Sequence, residues 1–283
     1  MKLGLCYTVI SPENKMLLEA AEKRGVEFVR IVDGESVLQL SGKPKEELDV
    51  LLQRSVSYSR GLCLAYYYEK SGCQVINSYQ AAKVCGDKML SSLELASAGV
   101  PTPKTNVCFS PEAAMDAAED IGFPIVMKPV MGSWARMVNR LNDHEALSMA
   151  VGCKEEMGNP WQKIYYLQEH IDKPGRDIRA FVVGEEVVAA IYRNCTKESG
   201  WVSNASRGGH PTECAVTSEL SELCLRASKI AGEGIYGVDL MESGNGLVVH
   251  EINHTAEFKS CASATGIDIA GSIIDYAVSR AKS

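Results

Sequence analysis

The stretch at residues 236–259, YGVDLMESGNGLVVHEINHTAEFK, constrains the fold more than any other part of the sequence. Two apolar runs flank a segment rich in Gly and Asn at 243–246, a pattern that predicts two strands joined by a tight turn. The first run carries Asp239, and the second carries Glu251 and Asn253. Because side chains alternate along a strand, Glu251 and Asn253 should share one face, and Asp239 joins them if the strands pair.

These three side chains offer oxygen ligands without sulfur or imidazole, a set that suits a hard cation such as Mg²⁺. A cation held by so few protein oxygens usually serves a phosphate ligand. The alternative is a solvated face of an edge hairpin, but an acid inside VDL and another inside VVHEIN argue against it. The pattern therefore indicates a metal site with Asp239, Glu251 and Asn253 as its protein ligands.

The composition of the chain excludes several classes of protein. A net charge of -7 over 283 residues, without a basic block, argues against wholesale nucleic-acid binding. No apolar run approaches membrane-spanning length, and the opening residues MKLGLCYTVI do not resemble a signal peptide, so a cytoplasmic location is expected. The 10 cysteines include no CxxC pair, which argues against a zinc site or a disulfide framework.

The order of predicted elements divides the chain into three units, at 1–86, 87–170 and 171–283. The first unit alternates strands and helices, which predicts a small parallel sheet with helices on its faces. No GxGxxG follows its first strand, so the dinucleotide-binding fingerprint is absent.

The second and third units are predicted to mix helices with longer strands. The last strand of the second unit, at 163–171, is expected to leave that unit. The third unit should begin with a hairpin that turns at 184–185 and continue through a polar loop at 194–213. It should end in a helix at about 270–282.

Two lysines are candidates for binding an anion. Lys128 ends an apolar strand, where a charge is costly unless it is paired, and a phosphate would supply the pair. Lys88 opens a predicted helix, and its alternative interpretation is an ordinary exposed first-turn lysine.

The loop at 131–136 contains Gly and Ser that allow close approach of backbone to phosphate, although it is not a Walker loop. Trp134 in this loop is interpreted as part of a mobile lid or of a contact surface.

Several arginines in the third unit indicate an anionic substrate, because guanidinium groups match carboxylates and phosphates. They follow a Pro-Gly turn or lie further along the chain: Arg176, Arg179, Arg193 and Arg207. The alternative is surface ion pairing, which is favoured most for Arg176.

The segment QEHI at 168–171 lies where a strand is expected to pass between units, so its backbone could contact an adenine edge.

Taken in order, these motifs resemble the ATP-grasp carboxylate–amine ligases over essentially the whole chain. The resemblance is closest to the subgroup that loads an amino acid onto the amino-group carrier protein LysW in lysine or arginine biosynthesis. The stretches that carry it are SRGL (59–62), CGDK (85–88), KPVMGSW (128–134), QEHIDKPGRDIRAFVVGE (168–185), AAIYR (189–193), ASRGG (205–209) and EINHTAEFK (251–259).

The resemblance implies an α/β ATP-grasp fold of three subdomains, with ATP between the central and the C-terminal one. It implies two Mg²⁺ ions on Asp239, Glu251 and Asn253, with Glu251 bridging them. The implied nucleotide-binding residues are Lys88, Lys128, Gly132, Ser133, Trp134, Gln168, Glu169, His170, Ile171, Asp177 and Asn204. The implied catalytic residues are Arg179, Arg193 and Arg207. The implied amino-acid contacts are Arg193, Arg207, Gly208, Thr255, Glu257, Phe258, Ser260 and Cys261.

The implied reaction joins two substrates through an acyl phosphate. The side-chain carboxylate of the carrier's C-terminal glutamate is phosphorylated by ATP, and the α-amino group of the incoming amino acid displaces phosphate. The partners are thus a small acidic LysW-like carrier and an amino acid, with no nucleic acid and no membrane, and a homo-oligomer is expected.

One pair of residues departs from the family pattern. After NHTAEFK, aminoadipate-loading members continue with Asn-Ser or Asn-Thr, and glutamate-loading members continue with Gly-Phe. Here the pair is Ser260 and Cys261, which is interpreted as a neutral variant of the aminoadipate type, with glutamate as the next candidate. A RimK-like glutamate ligase with another protein or cofactor as acceptor stays an alternative, as does a non-catalytic nucleotide-binding protein. The intact set of lysines and metal ligands argues against the last.

Overall fold

The computed structural model describes residues 2–132, 134–196, 200–201, 203 and 210–281. Their strands form three sheets, one in each predicted unit. No helix in these ranges is both long enough and apolar enough to cross a membrane.

The N-terminal sheet is parallel throughout, as the alternation of strands and helices predicts. Its strand order is β2-β1-β3-β4. The strands are β1 (Leu3–Tyr7), β2 (Phe28–Val32), β3 (Val50–Arg54) and β4 (Gln74–Ile76), and the helices are α1 (Pro12–Lys23), α2 (Tyr58–Lys70) and α3 (Tyr79–Gly86). The sequence did not predict α3.

The central sheet is antiparallel, with strand order β5-β8-β6-β7. Its elements are α4 (Lys88–Ser97), β5 (Thr105–Cys108), α5 (Pro111–Ile121), β6 (Ile125–Lys128), β7 (Asn139–Leu141), α6 (His144–Met157) and β8 (Tyr165–Glu169). The expectation that the strand at 163–171 leaves this unit is wrong. β8 pairs on both sides, with β5 and β6, and its Tyr165 and Leu167 are fully buried in the central core.

The C-terminal sheet is also antiparallel, with strand order β11-β10-β9-β12-β13. Its elements are β9 (Arg176–Val183), β10 (Glu186–Asn194), β11 (His210–Glu213), α7 (Ser218–Lys229), β12 (Ile235–Ser243), β13 (Gly246–Asn253), α8 (Lys259–Thr265) and α9 (Ile269–Ala281). Both predicted hairpins form, β9–β10 and β12–β13. Neither β11 nor α8 was predicted.

Side-chain caps set where several helices begin. Ser11 and Ser110 each stand before a proline at the first helical position, and each hydroxyl accepts a hydrogen bond from the backbone N–H three residues on, at 3.2 Å. Thr217 caps α7 in the same way, at 3.2 Å. Such caps satisfy N–H groups that have no partner within the helix, so the helix starts follow directly from the sequence.

The N-terminal and C-terminal units share one hydrophobic core. Leu3, Leu5 and Leu17 of the N-terminal unit belong to the same buried cluster as Phe181 and Ile273 of the C-terminal unit. The main core of the central unit, by contrast, is built from residues 108–167 alone. The two outer units therefore pack as one body, to which the central unit is attached.

Candidate active site

A cavity of about 370 Å³ is lined by residues from all three units. The N-terminal unit contributes the end of β3 and the start of α1, and the central unit contributes β6, β8 and the loop after β6. The C-terminal unit contributes polar side chains of β9, β10, β12 and β13. The polar positions singled out in the sequence are mostly found in this one place.

A β-bulge in β13 sets the face on which its polar residues lie. Asp239 pairs with Glu251, but Leu240 pairs with Val249, so His250 is an extra residue in the strand. Val249 and Ile252 are both fully buried in one core cluster, although they are three positions apart. As a result three residues of β13 line the cavity, on the strand that pairs with the one carrying Asp239: His250, Glu251 and Asn253.

Asp239 is the centre of a carboxylate–arginine network. Arg179 donates two hydrogen bonds of 2.6 Å to its two oxygens, and Arg193 Nη2 lies 3.3 Å from Oδ2. Asn253 Nδ2 lies 3.3 Å from the same Oδ2. Burial raises the pKa of the Asp239 carboxyl, but Arg179 and Arg193 outweigh that effect and hold the pKa well below its usual range.

Asp177 orients Arg193 rather than facing open space. Its Oδ1 accepts a 2.6 Å hydrogen bond from Arg193 Nε, and its Oδ2 is contacted by Lys173 at 3.4 Å and by Ser203. Burial lowers the pKa of Arg193, but Asp239 and Asp177 raise it further than burial lowers it. The implied role of Asp177 in nucleotide binding stays a prediction, since both oxygens of its carboxylate already have partners within the protein.

Lys88 connects the central unit to the metal-ligand candidates. Its Nζ lies 3.1 Å from Glu251 Oε1 and donates a 2.8 Å hydrogen bond to the carbonyl of Gly132. Its side chain is only 12% exposed, so the alternative of an ordinary surface lysine is wrong. Burial raises the pKa of Glu251, but Lys88 and Lys128 hold it below its ordinary value.

Lys128 is buried with a neutral partner. Its Nζ donates a 2.9 Å hydrogen bond to Gln168 Oε1 and lies 5.3 Å from the centre of the Tyr166 ring. In the described ranges no carboxylate oxygen comes within 4 Å of this ammonium. Burial lowers the pKa of Lys128 to about 8, although Glu251 raises it. A desolvated ammonium held by an amide favours an incoming anion.

The loop after β6 reaches across the cavity to the C-terminal unit. Trp134 Nε1 donates a 3.3 Å hydrogen bond to Glu257 Oε1, and the Arg136 guanidinium lies 5.0 Å from the Trp134 ring centre. Trp134, Ala135 and Met137 all have positive φ angles, between 52° and 57°. This loop covers one side of the cavity, as expected of a lid.

The segment at 168–171 lines the cavity, and several of its side chains have partners within the protein. The Gln168 side chain contacts Lys128, and Glu169 Oε1 accepts a 2.8 Å hydrogen bond from the backbone of Lys104. The His170 ring centre lies 5.7 Å from that of Trp201. A role of this segment in holding adenine stays a prediction.

The predicted amino-acid contacts separate into two groups. Thr255 and Glu257 line the cavity, whereas Phe258, Ser260 and Cys261 do not. Phe258 and Cys261 are fully buried in the core shared by the outer units. The implied contacts of Phe258, Ser260 and Cys261 with the amino acid stay predictions, because none of the three lines the cavity. Four predicted residues lie outside the described residues: Ser133, Asn204, Arg207 and Gly208.

Several cationic or basic side chains of the cavity wall were not among the predicted residues, including Arg54, Lys173, His250 and His254. Arg54 ends β3, at the carboxyl edge of a parallel sheet, a position where ligands commonly bind. His250 was not a candidate, because strict alternation puts it on the face opposite Glu251, and the bulge breaks that alternation. Arg176, by contrast, forms a surface pair with Glu242 at 2.7 and 2.8 Å, which confirms the ion-pairing alternative for it.

The donor chemistry at this place fits Mg²⁺. Asp239 and Glu251 face each other across the ladder with pKa values below the ordinary range, so both are ionised at neutral pH. No group of three or more His, Cys, Asp or Glu with metal-ligand geometry occurs within the described part of the chain. The third protein ligand would be Asn253, and the remaining positions would be taken by oxygens from outside the protein, as is usual for Mg²⁺.

Comparison with protein families gives two adjoining matches. Residues 3–84 match the LysX preATP-grasp domain, and residues 85–277 match the RimK-like ATP-grasp domain.

Similar proteins cover nearly the whole chain. The "Glutamate--LysW ligase ArgX" of Sulfolobus acidocaldarius is 32% identical over 277 residues, 98% of this chain and 98% of that protein. The "Alpha-aminoadipate--LysW ligase LysX" of Saccharolobus solfataricus is 32% identical over 272 residues, 95% of this chain and 98% of that protein. The crystal structure of a RimK domain protein ATP-grasp from Sphaerobacter thermophilus matches with a TM-score of 0.83 at 25% identity, over 98% of this chain and 100% of that one.

Proposed function

The chain belongs to the RimK-like ATP-grasp family of ATP-dependent ligases, and from this premise we propose that it loads an acidic amino acid onto a LysW-like carrier protein. The α-amino group of the amino acid would be joined to the side chain of the carrier's C-terminal glutamate. Relatives named for α-aminoadipate and for glutamate are equally similar to this chain, so both are candidates. α-Aminoadipate is favoured because Ser260 and Cys261 are interpreted as a variant of the aminoadipate type. Family membership confirms the expected ATP-grasp fold.

The observation that carries this proposal is the charge arrangement in the cavity. Around the polar face of the β12–β13 hairpin, three carboxylates meet five cationic side chains, and this local excess of positive charge favours a polyphosphate: Asp177, Asp239 and Glu251 with Lys88, Lys128, Lys173, Arg179 and Arg193. Burial strengthens each of these interactions, because the local dielectric constant is lower than that of water. Lys88 and Lys128 come from the central unit and the arginines from the C-terminal unit, so a phosphate chain would lie between the two.

ATP-grasp ligases use ATP and Mg²⁺, and here two ions on Asp239, Glu251 and Asn253 would neutralise charge on the phosphate oxygens. Glu251 would be a ligand of both ions. It lies opposite Asp239 in the ladder and two residues before Asn253. Binding would require Lys88 and Arg179 to move from the carboxylates towards the phosphates.

In the first step a carboxylate oxygen of the carrier's terminal glutamate attacks the γ-phosphorus, and ADP leaves. In the second step the amino nitrogen attacks the acyl carbon and loses one proton. The bond from that carbon to the phosphate oxygen breaks, and inorganic phosphate leaves. Arg179 and Arg193 stabilise charge that develops on the oxygens. The loop carrying Trp134 excludes water, which would otherwise hydrolyse the acyl phosphate.

The test is ADP release with Mg-ATP and a LysW-type carrier, screening α-aminoadipate and glutamate, with mass spectrometry of the carrier. A mass gain equal to one amino-acid residue supports the proposal and identifies the amino acid. ADP release without a gain on the carrier, or no turnover with either amino acid, would overturn the carrier assignment.

A variant pair tests the metal ligands in the same assay. Glu251→Gln should lower turnover by roughly 10²-fold or more, because it removes charge from the metal and phosphate site. Glu242→Gln is the matched control, since Glu242 lies on the same hairpin but pairs with Arg176 outside the cavity. Near-normal turnover in Glu251→Gln would exclude that residue as a metal ligand.

Three further expectations belong with this proposal. The boundaries of the units at 86 and 170 are supported by the ends of α3 at Gly86 and β8 at Glu169. A cytoplasmic location and a homo-oligomeric state stay predictions.

A further inference from the structure

The N-terminal wall of the cavity presents a guanidinium without a carboxylate partner. Arg54 Nε donates a 3.2 Å hydrogen bond to Asn14 Oδ1, and Nη2 donates one of 3.2 Å to the carbonyl of Ala256. Its Cζ lies 5.5 Å from the centre of the Phe258 ring. A guanidinium has five N–H donors, so three stay available for a ligand. Across the described ranges no carboxylate oxygen lies within 4 Å of it.

This charge lies in a desolvated position. Burial lowers the pKa of Arg54 to about 10, although Glu13 and Glu257 raise it. A partly buried guanidinium is costly unless an anion compensates it, and the described part of the chain brings no carboxylate within 4 Å of it. The half-buried side chain also lines the cavity, so the compensating anion would come from a bound molecule.

Two carboxylates face the same part of the cavity without pairing with Arg54. Glu13 is only 6% exposed, and its Oε1 accepts a 3.3 Å hydrogen bond from the backbone of Lys259. Glu257 is held by Trp134 of the loop that covers the cavity. One cation and two anions thus line a single cavity without direct contact between the cation and the anions. This arrangement fits a molecule that carries both charges, as an α-amino acid does.

The position of this group relative to the phosphate-binding residues suits an acceptor. Ala256 packs against Gly237 on β12, where an added Cβ would come within 2.6 Å of the Ala256 methyl group. Gly237 lies two residues before Asp239 and also borders Arg179. The segment that contacts Arg54 thus lies directly beside the carboxylate–arginine network.

We propose that Arg54, Glu13 and Glu257 form the amino-acid subsite, in which Arg54 holds the α-carboxylate and the two glutamates hold the amino group, which enters as an ammonium and loses one proton to water before its nitrogen attacks. The inference rests on the proposed function, because it identifies where the acceptor of that reaction binds. It places recognition of the α-carboxylate at the N-terminal wall of the cavity, separate from phosphate binding between the central and the C-terminal unit. Arg54 is a binding residue for the substrate and is not assigned to the chemistry of either step.

The kinetic test compares wild type with Arg54→Met, using whichever amino acid the wild type loads and the α-carboxamide of that amino acid. The KM for the amino acid should rise by about tenfold to a hundredfold, as expected for the loss of charge-assisted hydrogen bonds, while the KM for ATP stays within about twofold. Wild type should reject the α-carboxamide, and Arg54→Met should treat the two compounds nearly alike. Arg54→Lys should be intermediate, because it keeps the charge but loses the fork.

Arg30→Met is the matched control, since Arg30 is an exposed arginine on β2 of the same sheet and is not part of the cavity wall. It should leave both KM values unchanged. Thermal unfolding separates binding from a structural role, because Arg54→Met should keep the melting temperature of the control. Equal rises in both KM values, an unchanged preference against the α-carboxamide, or a fall in melting temperature that accounts for the lost activity would overturn the proposal.

Equilibrium dialysis with labelled glutamate and α-aminoadipate, in the presence of Mg²⁺ and a non-hydrolysable ATP analogue, needs no carrier. Binding to wild type that is lost in Arg54→Met supports the subsite even if no carrier is loaded, in which case only the carrier assignment fails. Equal binding to wild type and Arg54→Met would contradict the proposed subsite but would leave the proposed reaction intact.

Discussion

A lysine ammonium that is buried against a glutamine amide is the most informative single residue of the cavity. Lys128 has Gln168 and the Tyr166 ring as neighbours, and burial holds its pKa near 8, below the ordinary value of 10.5. Its charge is therefore present at neutral pH and is lost within a range that the protein tolerates. Because the amide only partly replaces water, a phosphate is the better partner.

The affinity for Mg-ATP should fall as the pH rises through about 8, because Lys128 then loses its proton. Lys128→Arg should abolish this fall, since a guanidinium stays charged throughout. Titration calorimetry with a non-hydrolysable analogue at several pH values measures both. A fall of the same size in Lys128→Arg would mean that another group is responsible.

The same residue affects stability in the opposite direction. The folded-state pKa of Lys128 lies below its unfolded value, so the unfolded chain binds more protons between about 8 and 10.5. The contribution of Lys128 to the free energy of unfolding therefore rises with pH across that window. Binding and stability are in conflict at this position, which is a common property of functional sites.

The sequence predicted some residues of the cavity and missed others for local reasons. Alternation along a strand was enough to bring Glu251 and Asn253 to one face and to place Asp239 opposite them. His250 could not be found in this way, because the bulge is set by pairing with β12 and leaves no simple pattern in the sequence. Arg54 stands alone in its stretch, and its role depends on contacts with residues about 40 and 200 positions away along the chain.

At the scale of elements, the cap of α4 positions a lysine of the cavity. The Asp87 carboxylate accepts hydrogen bonds from the backbone of Met89 at 2.9 Å and of Leu90 at 3.2 Å. Lys88 is the first helical residue, and its own N–H donates a 2.8 Å hydrogen bond to the carbonyl of Val130. The cap thus fixes the backbone from which Lys88 reaches Glu251.

Asp87→Ala should lower the free energy of unfolding by about 1 kcal/mol and raise the KM for ATP, because the first turn of α4 loses its cap. Ser110→Ala removes a comparable cap from α5, away from the cavity, and should lower stability alone. Urea unfolding and steady-state kinetics measure the two quantities. An unchanged KM in Asp87→Ala would show that Lys88 is positioned without the cap.

Elements with a strong local signal were predicted well, and those without one were missed. The two hairpins predicted from turn residues at 184–185 and 243–246 both form, and Ser-Pro pairs in the sequence mark the starts of α1 and α5. β11 is exposed along most of its length and exists only through pairing with β10. α8 is a seven-residue helix without a side-chain cap, so neither hydrophobic periodicity nor a capping residue predicts it from the sequence. α3 has a cap at Ser78 that could have been used.

At the scale of the whole molecule, one asparagine ties the N-terminal unit to the C-terminal unit. Asn77 Nδ2 donates hydrogen bonds of 2.6 and 2.7 Å to the carbonyls of Ile235 and His254, and Oδ1 accepts one of 2.6 Å from the N–H of Ile235. The side chain is 3% exposed. It therefore holds the start of β12 and the end of β13, the hairpin that carries the metal-ligand candidates.

Asn77→Ala should lower the free energy of unfolding by about 2–4 kcal/mol, because it leaves backbone groups of two strands without partners in a buried place. Asn106→Ala is the control, since Asn106 makes one exposed hydrogen bond, to Asp120, and should change stability by under about 0.5 kcal/mol. Urea unfolding followed by circular dichroism measures both. A loss in Asn77→Ala no larger than in the control would show that the two units are joined by their shared core alone.

That shared core has a consequence for exchanging parts between relatives. The two family matches meet between residues 84 and 85, which suggests a natural point for recombination. A chimaera joined there would bring Leu3, Leu5 and Leu17 of one parent against Phe181 and Phe258 of another, in a core that evolved as one set. The interchangeable piece is instead the stretch from Thr105 to Glu169, whose ends are neighbouring strands and whose apolar side chains pack mainly among themselves.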